Sequence, residues 1–338
     1  MSDREGSQPA RGATTAGPSA LAPAGLSEER AQTALRVGTR GSALARSQTA
    51  LVTAAIGGEL GRKVDTVEIV THGDRSTAAL TQIGGTGVFV SALRDALLAG
   101  EIDIAVHSYK DLPTAPADGL VVAAVPRRED PRDVLVARDG LTLGELPAGA
   151  RIGTGSPRRA AQLRALGLGV EVVPIRGNVD TRLRKVTGGE LDAVVLARAG
   201  LARLDRLAVV TELLDPLQML PAPGQGALAV ECRAADTELV AQLAGLDHAD
   251  SRAAVAAERS LLAALEAGCT APVGALAEVA LGEDGPEIFL RGTVTAADGS
   301  DAVRLSATGP VSEAAAIGRR LAADLIDAGA DSLLGSGL

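Results

Sequence analysis

Apolar positions recur along most of the chain with two alternating periods. Leu35–Thr39 reads as a short strand, and Ala43–Leu60 carries the spacing of a helix. Val64–Val70 (VDTVEIV) alternates apolar with polar residues, as a half-buried strand does. Phe89, Leu93, Ala96 and Leu97 then share one helical face, and Ile102–Val106 follows as a strand running into HSYKDLP. A second run repeats the order: Arg151–Ser156 as strand and turn, Pro157–Leu166 as helix, Val170–Ile175 as strand, Asn178–Val186 as helix and Leu191–Ala197 as strand. Alternation of this kind predicts α/β units with right-handed crossovers and mostly parallel sheets.

Segments without periodicity punctuate these runs. Residues 1–34 are rich in Ala, Gly, Pro, Ser and Thr and read as a disordered tail, since they bury too little to offset their ordering entropy. THGDRSTAALTQIGGTG, 71–87, reads as a mobile loop. VPRREDPRDVLVAR, 125–138, mixes Pro with dense charge and marks a crossing between units. PAPGQGALAVECR, 221–233, is a Gly/Pro turn entering an apolar strand that can return the chain to the first unit. The last hundred residues differ. A helix over Arg252–Leu265 has Ala254, Ala257, Leu261, Ala264 and Leu265 on one stripe. Three strands near 272–280, 287–296 and 302–308 follow, then a helix marked by Ile317, Leu321 and Leu325, which together predict a small α+β unit.

Composition narrows the chemistry. The 338 residues hold two Phe, one Tyr and no Trp, so the core is aliphatic and recognition by serial base stacking is excluded. A net charge of −9 argues against nucleic acid or an acidic membrane as partner. Only Cys232 and Cys269 are present, and His72, His107 and His248 lie far apart, so neither a disulfide framework nor a metal site is expected. No apolar run is long enough to span a bilayer, and the N-terminus lacks the basic start and apolar stretch of a secretory signal; the expected location is the cytoplasm.

The charge is unevenly placed. Between Arg151 and Lys185 eight basic residues face only Glu171 and Asp180. A solvated helix face is one reading; an anion site is the other. In IGTGSPRRAAQL a strand ends in Gly-Thr-Gly-Ser, Ser156 suits an N-cap, Pro157 suits the first helical position, and Arg158 and Arg159 open the helix. In VVPIRGNVDTRL, Arg176 again follows a strand. Both places are carboxyl ends of presumed parallel strands, where open α/β sheets bind ligands, and arginine forks grip carboxylate or phosphate. Neither a P-loop nor GxGxxG is present. HSYKDLP puts Lys110 beside Asp111 at another strand end: either a turn carboxylate, or one held ionised for work on a cation or proton. Cys269 in LEAGC follows a helix end and is either a casual loop thiol or a nucleophile and attachment point; Cys232 lies on an apolar strand and reads as packing.

Taken together, VGTRGSALA (37–45), THGD (71–74), HSYKDLP (107–113), IGTGSPRR (152–159), IRGNVDTRL (175–183), AGLARL (199–204), PGQGA (223–227) and LEAGC (265–269) resemble the porphobilinogen deaminase (hydroxymethylbilane synthase) family. The resemblance implies two hinged α/β domains of the type II periplasmic-binding-protein kind plus a small C-terminal α+β domain, divided as 35–126 with 227–245, 127–226, and 246–338. It implies a monomeric transferase of tetrapyrrole biosynthesis that joins four porphobilinogens head to tail, releases ammonia and yields hydroxymethylbilane. It also implies one dipyrromethane cofactor per chain, held by a thioether to Cys269, with Asp111 as the catalytic carboxylate contacting pyrrole N–H groups. Lys110, Thr154, Ser156, Arg158 and Arg159 would hold the cofactor with Asp111. Arg40, Ser42, Arg176, Arg182, Arg203 and Gln225 would hold substrate. Each pyrrole carries an acetate and a propionate, so a cationic cleft suits the growing chain. Gln82 and Thr86 stand where many relatives carry loop lysines, Tyr109 stands where Met is common, and residues 1–34 lie outside the resemblance. The alternative is a non-catalytic anion-binding protein of the same hinged fold, marked by an export signal and indifferent to Asp111 and Cys269. A ligand-binding regulator would need a helix-turn-helix, for which the tail is too short and too polar.

Overall fold

The computed structural model describes residues 33–69, 87–266, 271–283 and 285–334. The tail, most of the 71–87 loop and Cys269 lie outside them, as does the side chain of Phe89.

Thirteen strands in the described residues form three sheets. The first has the order β2-β1-β3-β10-β4, built from Val64–Glu68, Leu35–Thr39, Ile104–Ser108, Leu228–Arg233 and Leu120–Ala124. The second has the order β7-β6-β8-β5-β9, built from Glu171–Pro174, Arg151–Thr154, Ala193–Ala197, Asp133–Ala137 and Glu212–Leu213. The third is an antiparallel meander of β11 (Val273–Gly282), β12 (Gly285–Thr295) and β13 (Ala302–Pro310). The expectation of mostly parallel sheets needs correction. β1 runs parallel to β2 and β3, but β10 is antiparallel to β3 and β4; likewise β6 is parallel to β7 and β8, but β5 is antiparallel to β8 and β9. The antiparallel strands are those entered by crossings between sheets rather than by helical crossovers, so the handedness rule does not bind them.

Helices fill the crossovers: α1 (Ala43–Glu59), α2 (Gly87–Leu98), α3 (Pro157–Ala165), α4 (Val179–Thr187) and α5 (Arg198–Arg203), followed by α6 (Thr237–Leu243). Strands β3, β5 and β8 are buried almost throughout, as central strands covered on both faces are. Ile56, Val37, Ile104 and Val230 fill one core and Leu135, Ile152, Val195 and Leu214 the next. Against the third sheet pack α7 (Ala249–Ala264) and α8 (Ala314–Asp327), with Leu261, Leu290, Leu321 and Leu325 fully buried. The C-terminal helix and meander match their expected spans within a few residues, because period 3.6 and period 2 are both strong there.

The chain passes between the first two sheets twice, from Ala124 to Asp133 and from Leu213 to Leu228. The returning segment places β10 between β3 and β4.

Candidate active site

The candidate residues follow five parallel strands, two in the first sheet and three in the second. Arg40 and Ser42 follow β1; Lys110 and Asp111 follow β3; Thr154, Ser156, Arg158 and Arg159 lie at and beyond the end of β6; Arg176 follows β7; Arg203 closes the short α5 after β8. Local sequence explains several of these positions. Ser42 caps α1 by accepting from Ala45 N at 3.2 Å. Ser156 caps α3 by accepting from Arg159 N at 3.4 Å, while its own N–H donates to Thr154 Oγ1 at 3.2 Å. Pro157 sits at the first helical position, where its missing N–H costs nothing. Tyr109–Asp111 form a single 3₁₀ turn.

The PGQG segment closes on that turn. Tyr109 N donates to Ala227 O at 3.0 Å. Gly226 has φ of +87°, and a Cβ there would come within 2.3 Å of Glu129 O. At Gly224, φ +74°, a Cβ would stand 3.3 Å from Lys110 N. Both positions require glycine for conformation and for close approach.

At the centre lies a carboxylate absent from the sequence expectations. Asp133 opens β5, is fully buried and accepts four hydrogen bonds: Arg158 Nη2 at 2.7 Å, Arg159 Nη2 at 2.7 Å, Arg159 Nε at 3.2 Å and Gln225 Nε2 at 2.7 Å. Burial alone would raise its pKa; the two guanidiniums overcome that and hold it well below the carboxylate range. Arg158 also donates to Leu220 O, and Arg159 to Val195 O at 3.1 Å. Both arginines are about 95% buried, at 4% and 5% exposure. They are therefore fixed from behind rather than extended into solvent, as free carboxylate grips would be.

Lys110 Nζ donates to Gln225 Oε1 at 3.3 Å. Burial pushes its pKa down to about 8; Asp111 and Asp133 pull the other way, while Arg159 and Arg158 add to the depression. Asp111 is half-buried and makes no hydrogen bond or ion pair with another described residue. Arg182, on α4, donates to Gly177 O at 2.9 Å, and its Nη2 is 3.9 Å from where a Cβ of Gly155 would stand. Its pKa is lowered by burial and then by Arg159. Arg203 donates to Gly226 O at 2.6 Å, and burial lowers its pKa against the pull of Glu129.

Lys110, Arg158, Arg159, Arg182, Gln225 and Asp133 thus form one cluster. Arg40, half-buried, and Arg176, exposed, follow strands of different sheets, β1 and β7. The basic run of Arg151–Lys185 does not act as one field. Arg151 bonds Glu190 O at 2.8 Å, Lys185 pairs with Glu190 at 2.6 Å, Arg164 bonds Ala297 O at 2.7 Å and Arg184 bonds Thr181 at 3.2 Å. Those four serve the surface.

The residues present fit a polycarboxylate group. Among the described residues four cations converge on Asp133 and Asp111, and Arg158 Nε is buried without a hydrogen-bond partner. No group of three or more metal-ligating side chains occurs among the described residues, and no helix among them is long and apolar enough to cross a membrane.

Residues 35–241 match the family described as "Porphobilinogen deaminase, dipyromethane cofactor binding domain", and residues 253–327 match its C-terminal domain. The chain is 61% identical over 307 residues to porphobilinogen deaminase of Nocardia farcinica, covering 89% of this chain and 88% of that one. It is 61% identical over 306 residues to porphobilinogen deaminase of Mycobacterium tuberculosis, covering 89% and 98%. Among solved structures it is similar to a periplasmic substrate-binding protein of an ABC transporter from Coxiella burnetii, with a TM-score of 0.41, 13% identity and coverage of 63% of this chain and 91% of that one. The architecture is two α/β units, each on a five-stranded mixed sheet, and a small C-terminal unit with a three-stranded sheet.

Proposed function

The chain belongs to the porphobilinogen deaminase family, and on that premise we propose that it is a hydroxymethylbilane synthase: a transferase of tetrapyrrole biosynthesis that joins four porphobilinogens and releases ammonia at each addition. The observation that carries this reading is the cationic cluster drawn from strand ends of both the first and the second sheet, built on the segments that carry the family resemblance. A solute-binding protein of the same fold accounts for the cations but not for Asp111 beside Lys110, nor for the third unit.

We assign the roles residue by residue. Asp111 accepts from pyrrole N–H and stabilises the positive charge left on an incoming porphobilinogen when its C–N bond breaks and the amine departs with the electron pair. The charge is then quenched when the α-carbon of the preceding ring attacks and loses its proton. Lys110, Arg158, Arg159 and Arg182 bind acetate and propionate carboxylates, with Thr154 and Ser156 as neutral donors; Gln225, whose amide hydrogens go to Pro131 O and Asp133, orients Lys110 through its Oε1 rather than holding substrate itself. Arg40, Ser42, Arg176 and Arg203 hold the substrate end of the chain. The dipyrromethane, when bound, supplies a nucleophilic α-carbon on which the chain grows; Cys269 is its attachment point.

We propose the domain division 35–126 with 227–245, 127–226, and 246–338, a monomeric state and a cytoplasmic location, with neither nucleic acid nor membrane as partner. Intact mass of purified protein tests the reading. A surplus of two deaminated pyrrole units, lost in Cys269→Ser, is expected together with ammonia release from porphobilinogen. The bare sequence mass in active protein would remove the cofactor from the account.

A further inference from the structure

Asp111 must sit against a pyrrole N–H, yet the turn that carries it is short. The 3₁₀ turn Tyr109–Asp111 closes with one backbone bond, Leu112 N to Tyr109 O at 3.2 Å. The same Tyr109 carbonyl and the two that follow the turn, Leu112 O and Pro113 O, are held from α7. Arg259 donates from Nη1 to Tyr109 O at 3.2 Å and Leu112 O at 2.9 Å, and from Nη2 to Pro113 O at 2.6 Å. Its guanidinium also lies over the Tyr109 ring, 4.5 Å from the centroid. A planar fork of five donors suits three carbonyls converging on one side, and its flat face suits an aromatic ring. Tyr109, to which the sequence reading assigned no role, supplies that ring.

The neighbouring residue on the same helix grips the other turn of the site. Glu258 is fully buried and accepts from Gly224 N at 2.7 Å, from Ala277 N at 2.8 Å and from both Arg128 nitrogens at 2.7 and 2.9 Å. Gly224 opens the turn that carries Gln225, the partner of Lys110. Two consecutive residues of α7 therefore fix both turns, and helix geometry sets the offset between them.

We propose that Arg259 is a positioning residue for the reaction: it holds the Tyr109–Asp111 turn from behind, so that Asp111 meets the reacting pyrrole at the required distance. It touches neither substrate nor cofactor in this role. The inference rests on the deaminase reading above. A displacement of about 1 Å at a reacting centre can cost on the order of 100-fold in rate.

The surroundings offer a direct test. Arg259, Tyr109, Leu112, Pro113 and Ala263 line an open groove of about 390 Å³. Truncation at Arg259 leaves a hole that opens into it, large enough for methylguanidine. In Arg259→Ala, checked by intact mass for full cofactor loading, kcat for ammonia release is expected to fall about 100-fold with KM within about threefold. Methylguanidine is expected to restore kcat at least tenfold with saturation, and to raise the melting midpoint of the variant but not of wild type. Arg259→Lys keeps the charge but not the fork, and kcat is expected to stay at least tenfold low. A loaded alanine variant with wild-type kcat, or one that methylguanidine neither restores nor stabilises, overturns the proposal. If the alanine variant does not fold, wild-type kcat in Arg259→Lys overturns it equally. Wild-type protein that releases no ammonia from porphobilinogen overturns instead the functional reading beneath it.

Discussion

Asp133→Asn isolates the buried counter-charge. The substitution keeps size and shape but leaves two guanidiniums, each about 95% buried, facing a neutral amide. Four hydrogen bonds now end on the carboxylate, three of them from arginine. Removing one partner of a buried ion pair costs about 3–5 kcal/mol, because the charge left behind stays desolvated. At roughly 1.4 °C per kcal/mol, from about 2.1 cal/mol/K of unfolding entropy per residue over 338 residues, the melting midpoint should drop by about 4–7 °C. The assay is calorimetry at pH 7 on cofactor-loaded protein and on Cys269→Ser, which cannot take the cofactor. Polycarboxylate binding supplies Arg158 and Arg159 with other anions, so the drop should be smaller in the loaded form. In Asp133→Asn with Arg159→Gln, one excess charge is gone and part of the loss should return. A single variant that melts within about 2 °C of wild type, loaded or not, would show that Asp133 is not what holds the arginines.

Two further outcomes follow from the site. Asp111→Asn should keep the wild-type melting midpoint and cofactor mass while kcat falls roughly 10²–10³-fold, the scale of losing one preorganised electrostatic partner; near-normal turnover removes Asp111 from the chemistry. Lys110 is depressed from 10.5 to about 8, so between those values the unfolded chain binds a proton the folded one lacks. Stability of the cofactor-free protein should therefore rise with pH across that window, relative to Lys110→Met. Carbon NMR of the Lys110 side chain should show a midpoint near 8 without cofactor and a higher one with it; a midpoint above 10 in the cofactor-free protein refutes the burial argument.

Element identity was legible wherever periodicity was strong, as in α3, α4 and the terminal meander. Sheet direction was not, because Leu228–Arg233 reads as an apolar strand whichever way it pairs; only its late position hinted at a return. The strand-end cations were legible from IGTGSPRR and HSYKDLP, since turn chemistry and charge coincide there. Their partners were not. Asp133, Glu231 and Glu258 stand in or beside apolar runs and looked incidental. Yet each is 2% exposed or less, and each is paired with arginine. The usable signal was the oddity itself: an acid within a buried strand or an Ala-rich helix must find a cation. Spacing along the chain does not say which one, since Glu258 meets Arg128 and Glu231 meets Arg94 only through the fold.

The placement of β10 sets an order of events during synthesis. The first sheet cannot join β3 to β4 until Leu228–Arg233 has been made, because that strand lies between them. The second sheet needs nothing beyond Leu213. At roughly 5–20 residues per second, the 125 residues from Ser108 to Arg233 take about 6–25 s to emerge. Over the last 20 of those residues, Leu213 to Arg233, about 1–4 s, the nascent chain carries all strands of the second sheet and an open slot in the first, flanked by Ala105 and Val106 on one side and Ala124 on the other. The sheet translated first is thus completed after the second, and its unpaired edges are the ones a chaperone would have to shield.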